Sequence, residues 1–302
     1  MINHKKGKAK AKTEKETCLT VLENDELLSF LIARLPRQSR NNVKSLLTHR
    51  QVSVDDEVIS MHNYPLQAGQ KVRVDWGKAR GEINLQGLKI LFEDQYLIAV
   101  EKPARMLSVA AASAEPTAYN ILSGYLRQST AKSRIFIVHR LDRDTSGAML
   151  FAKSAAVQET LQNEWKDVVL ERSYAAVVEG SVAKEQGTIT SWLKENKAFK
   201  VYSSRTPGDG QKAVTHYRVL KKNNAYSLLD VKLETGRKNQ IRVHLQDIGH
   251  SVVGDKKYGA TKNPLHRLGL HAQTLSFVHP VTGHKMSINS PLPPEFLSLF
   301  GK

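Results

Sequence analysis

The chain has 302 residues, of which 40% are hydrophobic, and this length allows a large core and favours two domains over one. Lys and Arg number 45 against 29 Asp and Glu, a formal net charge of +16 that favours a polyanionic partner such as nucleic acid. The single cysteine, Cys18, excludes an intramolecular disulfide framework, and the sequence shows neither a membrane span nor an apolar signal core, so we expect a cytoplasmic protein without a membrane partner.

The first part of the chain is a basic arm followed by a small module. Residues 1–17 begin "MINHKKGKAKAKTEKE", which contains almost nothing that could pack, so we expect a disordered basic arm. Apolar residues then recur at helical spacing in "DELLSFLIARLP", and "SRNNVKSLLTHR" predicts a second, amphipathic helix. The segments "QVSVDDEVI" and "LQAGQKVRVDW" alternate like strands around turns. The cations expected on the outer face of the second helix are Arg37, Arg40, Lys44 and Arg50.

This module resembles the S-four-type RNA-binding domain over residues 18–75. The resemblance lies in "PRQSRNNVKSLL", in "VSV" and in "LQAGQKVRV". The pattern usually has Asn-Gly in its turn, where this chain has Asp55 and Asp56. The resemblance implies that the basic helix contacts RNA.

A linker and a larger domain follow. Residues 76–87, "WGKARGEINLQG", show no apolar periodicity and predict a linker. Residues 88–302 contain many strand-like segments and few helices, among them "TAYNILSGYLRQ" and "SAAVQETLQNEWKD". The pattern predicts an α+β domain with a large mixed, mainly antiparallel sheet and flanking helices.

Several kinds of site have no counterpart in this sequence. It lacks a phosphate-binding GxxxxGK[ST] loop, a GxGxxG turn after a strand, an HExxH pair and a serine nucleophile elbow. We therefore expect a reaction that needs neither a metal nor an organic cofactor, and that uses carboxylate, arginine and tyrosine side chains.

Two segments combine dense polar residues with apolar flanks. In "IVHRLDRDTSG", Asp142 follows a strand-like run, and in "LETGRKNQIRVHLQDIGHSVVGDKKYG", Arg237 lies at a strand-to-helix corner. We expect these two residues to pair, because a buried carboxylate needs a cationic partner. The local sequence also fits a surface ion pair at Asp142 and a phosphate contact at Arg237.

Four segments in this order are similar to the RluA-type pseudouridine synthases: "HRLDRDTSG", "YAAVVEG", "LETGRKNQIRVHLQDIGHSVVGDKKYG" and "LGLHAQTLSFVHPVTG". The similarity covers nearly all of residues 88–300. It implies a basic central cleft and the conversion of uridine in RNA to pseudouridine. An S-four-type domain in front of the catalytic domain is a known arrangement in that family.

The resemblance also implies roles for individual residues. Asp142 takes the position of the catalytic aspartate, Arg140 that of a residue that helps to displace the base, Tyr174 that of a tyrosine against the base, and Arg237 that of the partner of the aspartate. We expect Arg143 to contact RNA beside Arg140.

The chain departs from the family pattern at two positions, which bear on substrate choice. Asn239 replaces a usual histidine, although asparagine still suits a helix start, and Arg105 replaces a usual glycine.

Isomerising uridine requires no oxidation or hydrolysis, in keeping with the expected lack of a cofactor. A carboxylate can attack the base or the sugar, or remove a sugar proton, and the sequence does not choose among these routes. Two alternatives remain: a non-catalytic RNA-binding or ribosome-assembly protein, and a glycosidase that uses Asp142 and Asp144. The expected partner is ribosomal RNA, with transfer RNA as the second candidate, and the expected state is a monomer.

Overall fold

The computed structural model describes residues 16–48, 51–59, 61–76, 85–110, 116–127 and 133–301. The chain divides into two compact units, Met1–Ile83 and Asn84–Lys302. Most of the predicted basic arm lies outside the described residues, and its last two positions belong instead to a strand that begins at Glu16. Most of the predicted linker over 76–87 also lies outside them.

The smaller unit combines two helices with short antiparallel strands. Its elements are β1 (Glu16–Thr20), β2 (Asp25–Glu26), α1 (Leu27–Arg34), α2 (Arg40–Thr48), β3 (Val52–Val54), β4 (Glu57–Val58), β5 (Pro65–Leu66) and β6 (Lys71–Asp75). The strands form a sheet of order β1-β6-β3-β4 and a separate β2-β5 pair. Both helices match the predicted ones, and each buries the apolar stripe expected from its spacing, with Leu27 and Leu31 on α1 and Val43 and Leu47 on α2.

The turn between β3 and β4 is made by two aspartates. Asp55 and Asp56 have φ of 47° and 69°, the left-handed conformation that a two-residue turn of this kind needs at both positions. The Asp55 carboxylate accepts a hydrogen bond from the Lys71 backbone N–H at 2.9 Å. The turn therefore forms without the usual Asn-Gly pair, because a short polar side chain tolerates this backbone conformation.

The larger unit is built around one extended sheet. Its elements are β7 (Lys89–Glu93), β8 (Leu97–Lys102), α3 (Ala118–Arg127), β9 (Phe136–Ile137), β10 (Ser146–Ala152), α4 (Ala155–Asn163), α5 (Trp165–Val168), β11 (Val169–Glu179), β12 (Gln186–Glu195), β13 (Val201–Ser204), β14 (Gln211–Lys222), β15 (Tyr226–Leu233), α6 (Gln240–Asp247), β16 (Leu270–Val278), β17 (Lys285–Asn289) and α7 (Pro294–Ser298).

Within the described residues, this sheet has eleven strands in the order β13-β12-β14-β15-β11-β16-β10-β8-β7, with β17 beside β16 and β9 beside β10. All of its pairings are antiparallel except the short parallel pairing of β10 with β16. The predicted mixed, mainly antiparallel α+β architecture is confirmed.

Apolar residues of the helices pack against the central strands. Leu161 of α4 belongs to a buried cluster with Leu150 of β10 and Phe277 of β16. On α6, Ile241 and Leu245 belong to another cluster, which includes strand residues of β11 and β15. Every residue of β10 is buried, as expected for a strand at the centre of a sheet. None of the helices in the described ranges is long and apolar enough to cross a membrane.

Candidate active site

The charged segment "HRLDRD" forms an irregular loop between β9 and β10, and tertiary hydrogen bonds fix it. The Ser108 hydroxyl donates to the Leu141 carbonyl at 2.7 Å and lies 3.2 Å from the Leu141 backbone N–H. The backbone N–H of Thr145 donates to the Asp142 carbonyl at 3.2 Å. The backbone on both sides of the Asp142 carboxylate is thus held in place.

A fully buried lysine at the end of β8 supports the same loop. Lys102 Nζ donates to the carbonyls of Pro103, Met106 and Arg143 at 3.0, 2.8 and 3.0 Å. Burial lowers the pKa of Lys102 to about 7, while the carboxylates of Asp144 and Asp142 act in the opposite direction. Three carbonyl acceptors require three N–H donors, so this geometry needs the ammonium form. In the segment "VEKPA", Lys102 is the last residue of the apolar strand β8, and this role was not predicted from the sequence.

The loop ends at a glycine that allows two strands to approach closely. Gly147 has φ of +117°, and a Cβ atom there would lie 2.1 Å from the Ala272 carbonyl oxygen of β16. Only glycine fits such a contact without moving the backbone. The "TSG" that follows the charged segment therefore sets the position at which β10 meets β16.

Among the described residues, Arg242 forms the ion pair with Asp142. Arg242 Nη1 lies 3.5 Å from Asp142 Oδ2, and their side chains are 11% and 26% exposed. Arg237, the predicted partner, is exposed, and its Nε donates to the Lys212 carbonyl at 3.2 Å. The structure therefore does not show the predicted pairing of Asp142 with Arg237: Arg237 contacts β14, and Arg242 on the following helix reaches Asp142 instead.

Three neighbours fix the Arg242 guanidinium. Asp255, which is buried, accepts from Nε at 2.6 Å and from Nη2 at 2.8 Å. The Asn239 side-chain oxygen accepts from Nη1 at 3.0 Å, and the guanidinium lies 4.8 Å from the centroid of the Tyr258 ring. A bidentate carboxylate gives the planar guanidinium one orientation. This orientation leaves Nη1 directed towards Asp142.

Asn239 contributes more than a helix start. It has φ of 54° immediately before α6, and its side chain makes no capping hydrogen bond. Its Nδ2 donates to the Tyr258 hydroxyl at 2.9 Å, in addition to the contact with Arg242. Asparagine tolerates the left-handed conformation at this position better than most residues do. Its side chain also makes two contacts that stabilise the site.

A buried chain of hydrogen bonds anchors α6 to the sheet. His244 is fully buried, with Ser191 Oγ 2.9 Å from its Nε2 and Thr215 Oγ1 2.8 Å from its Nδ1. Gln240 Nε2 donates to the same Thr215 hydroxyl at 2.9 Å and to the Val214 carbonyl at 3.0 Å. These contacts hold the helix that carries Arg242 against β12 and β14.

This histidine predicts an acid-sensitive fold. Burial lowers the pKa of His244 to about 4, whereas a histidine in an unfolded chain has a pKa of about 6.5. The stability that neutral His244 contributes is fully present above about pH 6.5. As the pH falls towards about 4, the free energy of unfolding decreases by up to about 3 kcal/mol. We expect His244→Gln to flatten the fall of the thermal midpoint across this window. Parallel midpoint curves for the two proteins would contradict this account.

The loop and α6 meet at a cavity of about 320 Å³, within the size range of small-ligand sites. Asp142 and Arg242 lie in its wall together with Arg140, Tyr174 and Arg237. The cavity thus brings together four of the residues that the sequence nominated. It combines a carboxylate, an aromatic ring and several guanidinium groups.

One wall contains a second cation, Arg172, which is half-buried and was not predicted from the sequence. Arg172 of β11 lines the cavity, and its Nη2 donates to the carbonyls of Leu233 and Glu234 at 3.2 and 3.0 Å. Burial lowers the pKa of Arg172, and burial raises the pKa of Tyr174, which lies two residues along the same strand. In "RSY", Arg172 and Tyr174 are two residues apart, so both side chains lie on one face of β11. This spacing is the sequence pattern from which the role of Arg172 could have been predicted.

His139 and Arg143 serve the loop differently from Asp142. His139 Nε2 accepts from the Leu150 backbone N–H at 3.0 Å, and burial lowers the pKa of His139 to about 4, so the ring is neutral and structural. The Arg143 side chain is exposed and does not line the cavity, while its carbonyl accepts from Lys102.

The cations of the predicted basic helix lie in the smaller unit. Arg37 and Arg40 are exposed, and Lys44 is half-buried. Arg50 lies outside the described residues. Among the described residues no cluster of three or more histidine, cysteine, aspartate or glutamate side chains could hold a metal ion.

Comparison with known proteins identifies the family. Residues 96–247, about half of the chain, match the family model described as RNA pseudouridylate synthase. The chain therefore belongs to the RNA pseudouridylate synthase family, and it is an enzyme of the isomerase class that acts on RNA. The cavity lies within this matched region, apart from the Leu270 contact from β16.

The similarity to known proteins covers nearly the full length of this chain. The chain is 33% identical over 290 residues to an uncharacterized RNA pseudouridine synthase of Bacillus subtilis, YhcT, covering 94% of this chain and 95% of that protein. It is 34% identical to ribosomal large subunit pseudouridine synthase D of Nitrosomonas europaea, covering 93% and 84%. The structure of human RNA pseudouridylate synthase domain containing 1 matches with a TM-score of 0.57 and 25% identity, covering 72% of this chain and 87% of that chain.

These findings decide between the alternatives raised by the sequence. The chain belongs to an isomerase family, so an enzyme describes it better than a purely RNA-binding protein does. The glycosidase alternative also loses its second carboxylate, because Asp144 does not line the described cavity.

Proposed function

We propose that this enzyme is an RluA-type synthase that isomerises specific uridines of large-subunit ribosomal RNA, with Asp142 as its catalytic residue. The observation that carries the assignment of Asp142 is its position in the cavity wall, 3.5 Å from a guanidinium that is itself fixed by Asp255. The choice of ribosomal RNA rests on the name of the Nitrosomonas relative. Transfer RNA remains the second candidate.

The reaction breaks the bond between uracil N1 and the sugar, rotates the base and joins the sugar to C5, while the C5 hydrogen leaves as a proton. Uracil N1 takes up a proton in exchange, so the product is an isomer of the substrate and no oxidant or reductant is needed. The Asp142 carboxylate can act as the nucleophile or as the base that starts this sequence. The fixed Arg242 stabilises its negative charge, so Arg242 is a positioning residue rather than the acid or base.

The target base must leave its stack before Asp142 can reach it. Unstacking costs a few kcal/mol, and an aromatic surface beside the vacated or extruded base offsets part of this cost. Tyr174 offers such a surface in the cavity wall, and the exposed Arg140 at its edge is placed to enter the gap in the RNA. Arg237, which is exposed at the same edge, is assigned to RNA contact instead of pairing with Asp142.

The smaller unit is proposed to be an S-four-type RNA-binding domain over residues 18–75. Its support is the pair of helices followed by short strands, together with two exposed cations: Arg37, which precedes α2, and Arg40, the first residue of α2. A second anchoring surface is useful on a large folded RNA. We also propose that the enzyme is cytoplasmic and monomeric.

This assignment predicts a change in salt dependence. Replacing both Arg37 and Arg40 with Gln in the full chain should weaken binding to a large-subunit RNA transcript. The slope of log affinity against log salt should fall by roughly 0.7–0.9 for each phosphate that the variant no longer neutralises. Replacing two exposed lysines on β14, Lys221 and Lys222, provides a control of equal charge. An unchanged slope in the Arg37 and Arg40 variant would show that α2 does not contact RNA.

The proposed function is tested by tritium release. Incubating the enzyme with large-subunit ribosomal RNA that carries tritium at uracil C5 should release the label, because isomerisation displaces that hydrogen, whereas RNA binding and glycoside hydrolysis do not. Mapping pseudouridines in total RNA with and without the gene would identify the uridine. Release from transfer RNA and none from ribosomal RNA would overturn the substrate assignment.

A further inference from the structure

The hairpin between β12 and β13 holds an aromatic ring in solvent. Its turn, residues 196–200, reads "NKAFK", and Phe199 is 71% exposed. Phe199 also has φ of 56°, a left-handed conformation that is unusual for a bulky residue. Glycine or asparagine adopts this conformation more readily. Neither burial nor turn geometry therefore accounts for phenylalanine at this position.

The backbone that presents this ring is well ordered by hydrogen bonds. Asn196 Oδ1 accepts from the backbone N–H groups of Ala198 and Lys200 at 3.0 and 2.9 Å. The Asn196 N–H donates to the Lys200 carbonyl at 3.0 Å, and the Phe199 N–H donates to the Asn196 carbonyl at 2.9 Å. A ring on such a turn loses little conformational freedom when it binds a partner.

Lysines lie beside the exposed ring and its backbone. Lys238 Nζ lies 5.8 Å from the centroid of Phe199, and Lys257 Nζ donates to the Phe199 carbonyl at 3.0 Å. Lys197 is exposed in the same turn. One carboxylate, Glu195, pairs with Lys238. Positive charge beside an exposed ring matches a ligand that has both phosphates and stackable bases.

The hairpin is connected to the active site through a buried tyrosine. The Val201 backbone N–H donates to the Tyr258 hydroxyl at 3.3 Å, and the Tyr258 ring lies beneath the Arg242 guanidinium. Lys238 lies in sequence between Arg237 and Asn239, which both line the cavity. Contacts through Tyr258 and the segment that contains Lys238 thus connect the exposed ring to the residues around Asp142.

We propose that Phe199 stacks on an unpaired base of the RNA substrate outside the cavity, next to the target uridine, while Lys238 and Lys257 lie beside its phosphates. The proposal rests on the proposed function, because it assumes RNA in the cavity. Stacking on an aromatic ring tolerates any base. Phe199 therefore selects for unpaired structure beside the target rather than for a base sequence.

The test uses the full chain and two labelled RNA probes: a single-stranded oligouridine about ten nucleotides long and a blunt-ended, fully paired RNA duplex. One stacked base is worth about 1–3 kcal/mol, which corresponds to about 5- to 150-fold in Kd. We expect Phe199→Ala and Phe199→Leu to weaken binding of the single strand by at least about fivefold. Phe199→Trp should retain the affinity, and binding of the paired duplex should change little in any variant.

Phe199→Asn separates stacking from a structural role. Asparagine suits the left-handed turn, so this variant should keep or raise the thermal midpoint while it loses affinity for the single strand. Equal affinity of wild type and Phe199→Ala would overturn the proposal, and so would a leucine variant that binds as tightly as wild type. Tritium release by wild type, measured in parallel, is independent of these outcomes: its failure would overturn the proposed function instead.

Discussion

Replacing Asp142 with asparagine is expected to reduce pseudouridine formation by at least about 10³-fold, the scale of losing a nucleophile or general base. Asparagine has nearly the same shape as aspartate, so the loop should keep its contacts with Ser108 and Lys102. The Arg242 guanidinium also keeps its bidentate partner, Asp255. The loss should therefore lie in the chemical step, and RNA affinity should stay within about threefold of wild type.

The measurement is the single-turnover rate with enzyme in saturating excess over RNA. Asp144→Asn is the matched control, because Asp144 lies in the same loop but does not line the cavity. We expect this control to remain within about tenfold of wild type. If Asp142→Asn retained a rate within about tenfold of wild type, the assignment of Asp142 as the catalytic residue would be wrong.

Arg242→Met is expected to lower the single-turnover rate by about 10²- to 10³-fold, as for other fixed electrostatic groups. The same substitution at Arg237 should cost less than about tenfold, since Arg237 lies in the cavity wall but contacts the Lys212 carbonyl instead of Asp142. Arg242→Lys should be intermediate, because lysine keeps the charge but cannot bind Asp255 in the bidentate manner. An equal or greater loss of rate at Arg237 would favour a pairing of Asp142 with Arg237 during the reaction.

Arg242→Met also leaves Asp255 buried without its cation, which is expected to destabilise the fold by about 3–5 kcal/mol. The double variant Arg242→Met, Asp255→Asn removes this orphaned charge. Its thermal midpoint should recover towards that of wild type while its rate remains low. Recovery of both stability and rate would show that Arg242 contributes only to folding.

From the sequence, the architecture and the residues of the cavity could be predicted better than the arginine that pairs with Asp142. The strand-rich pattern, the helix near Asn239 and the family motifs all led to the observed fold and to Asp142. The choice between Arg237 and Arg242 depended on the direction of α6. At Asn239 the backbone turns into the left-handed region, and residues 240–245 then become buried on every face. A spacing rule for half-exposed helices does not anticipate an arginine within such a buried stretch.

Lys102 and Asp255 were missed for a related reason. Lysine at the end of an apolar strand is ordinarily exposed, and its burial follows from three carbonyls contributed by two separate segments. Asp255 lies in the same motif as Arg242, but only the fold brings it back onto the helix. Contacts between distant segments decided both cases, and local patterns carry no information about them.

The position of β16 in the sheet has a consequence for how the enzyme folds. This strand, Leu270–Val278, lies between β10 and β11 and joins two groups of strands that do not pair directly with each other in the described sheet. Asp142 precedes β10 in one group, whereas Arg242 follows β15 in the other. During synthesis both groups emerge before β16, and contacts of such long sequence separation form slowly. We therefore expect the contact of Asp142 with Arg242 to form only after β16 has joined the two groups, and the nascent chain to become active only after that strand has left the ribosome.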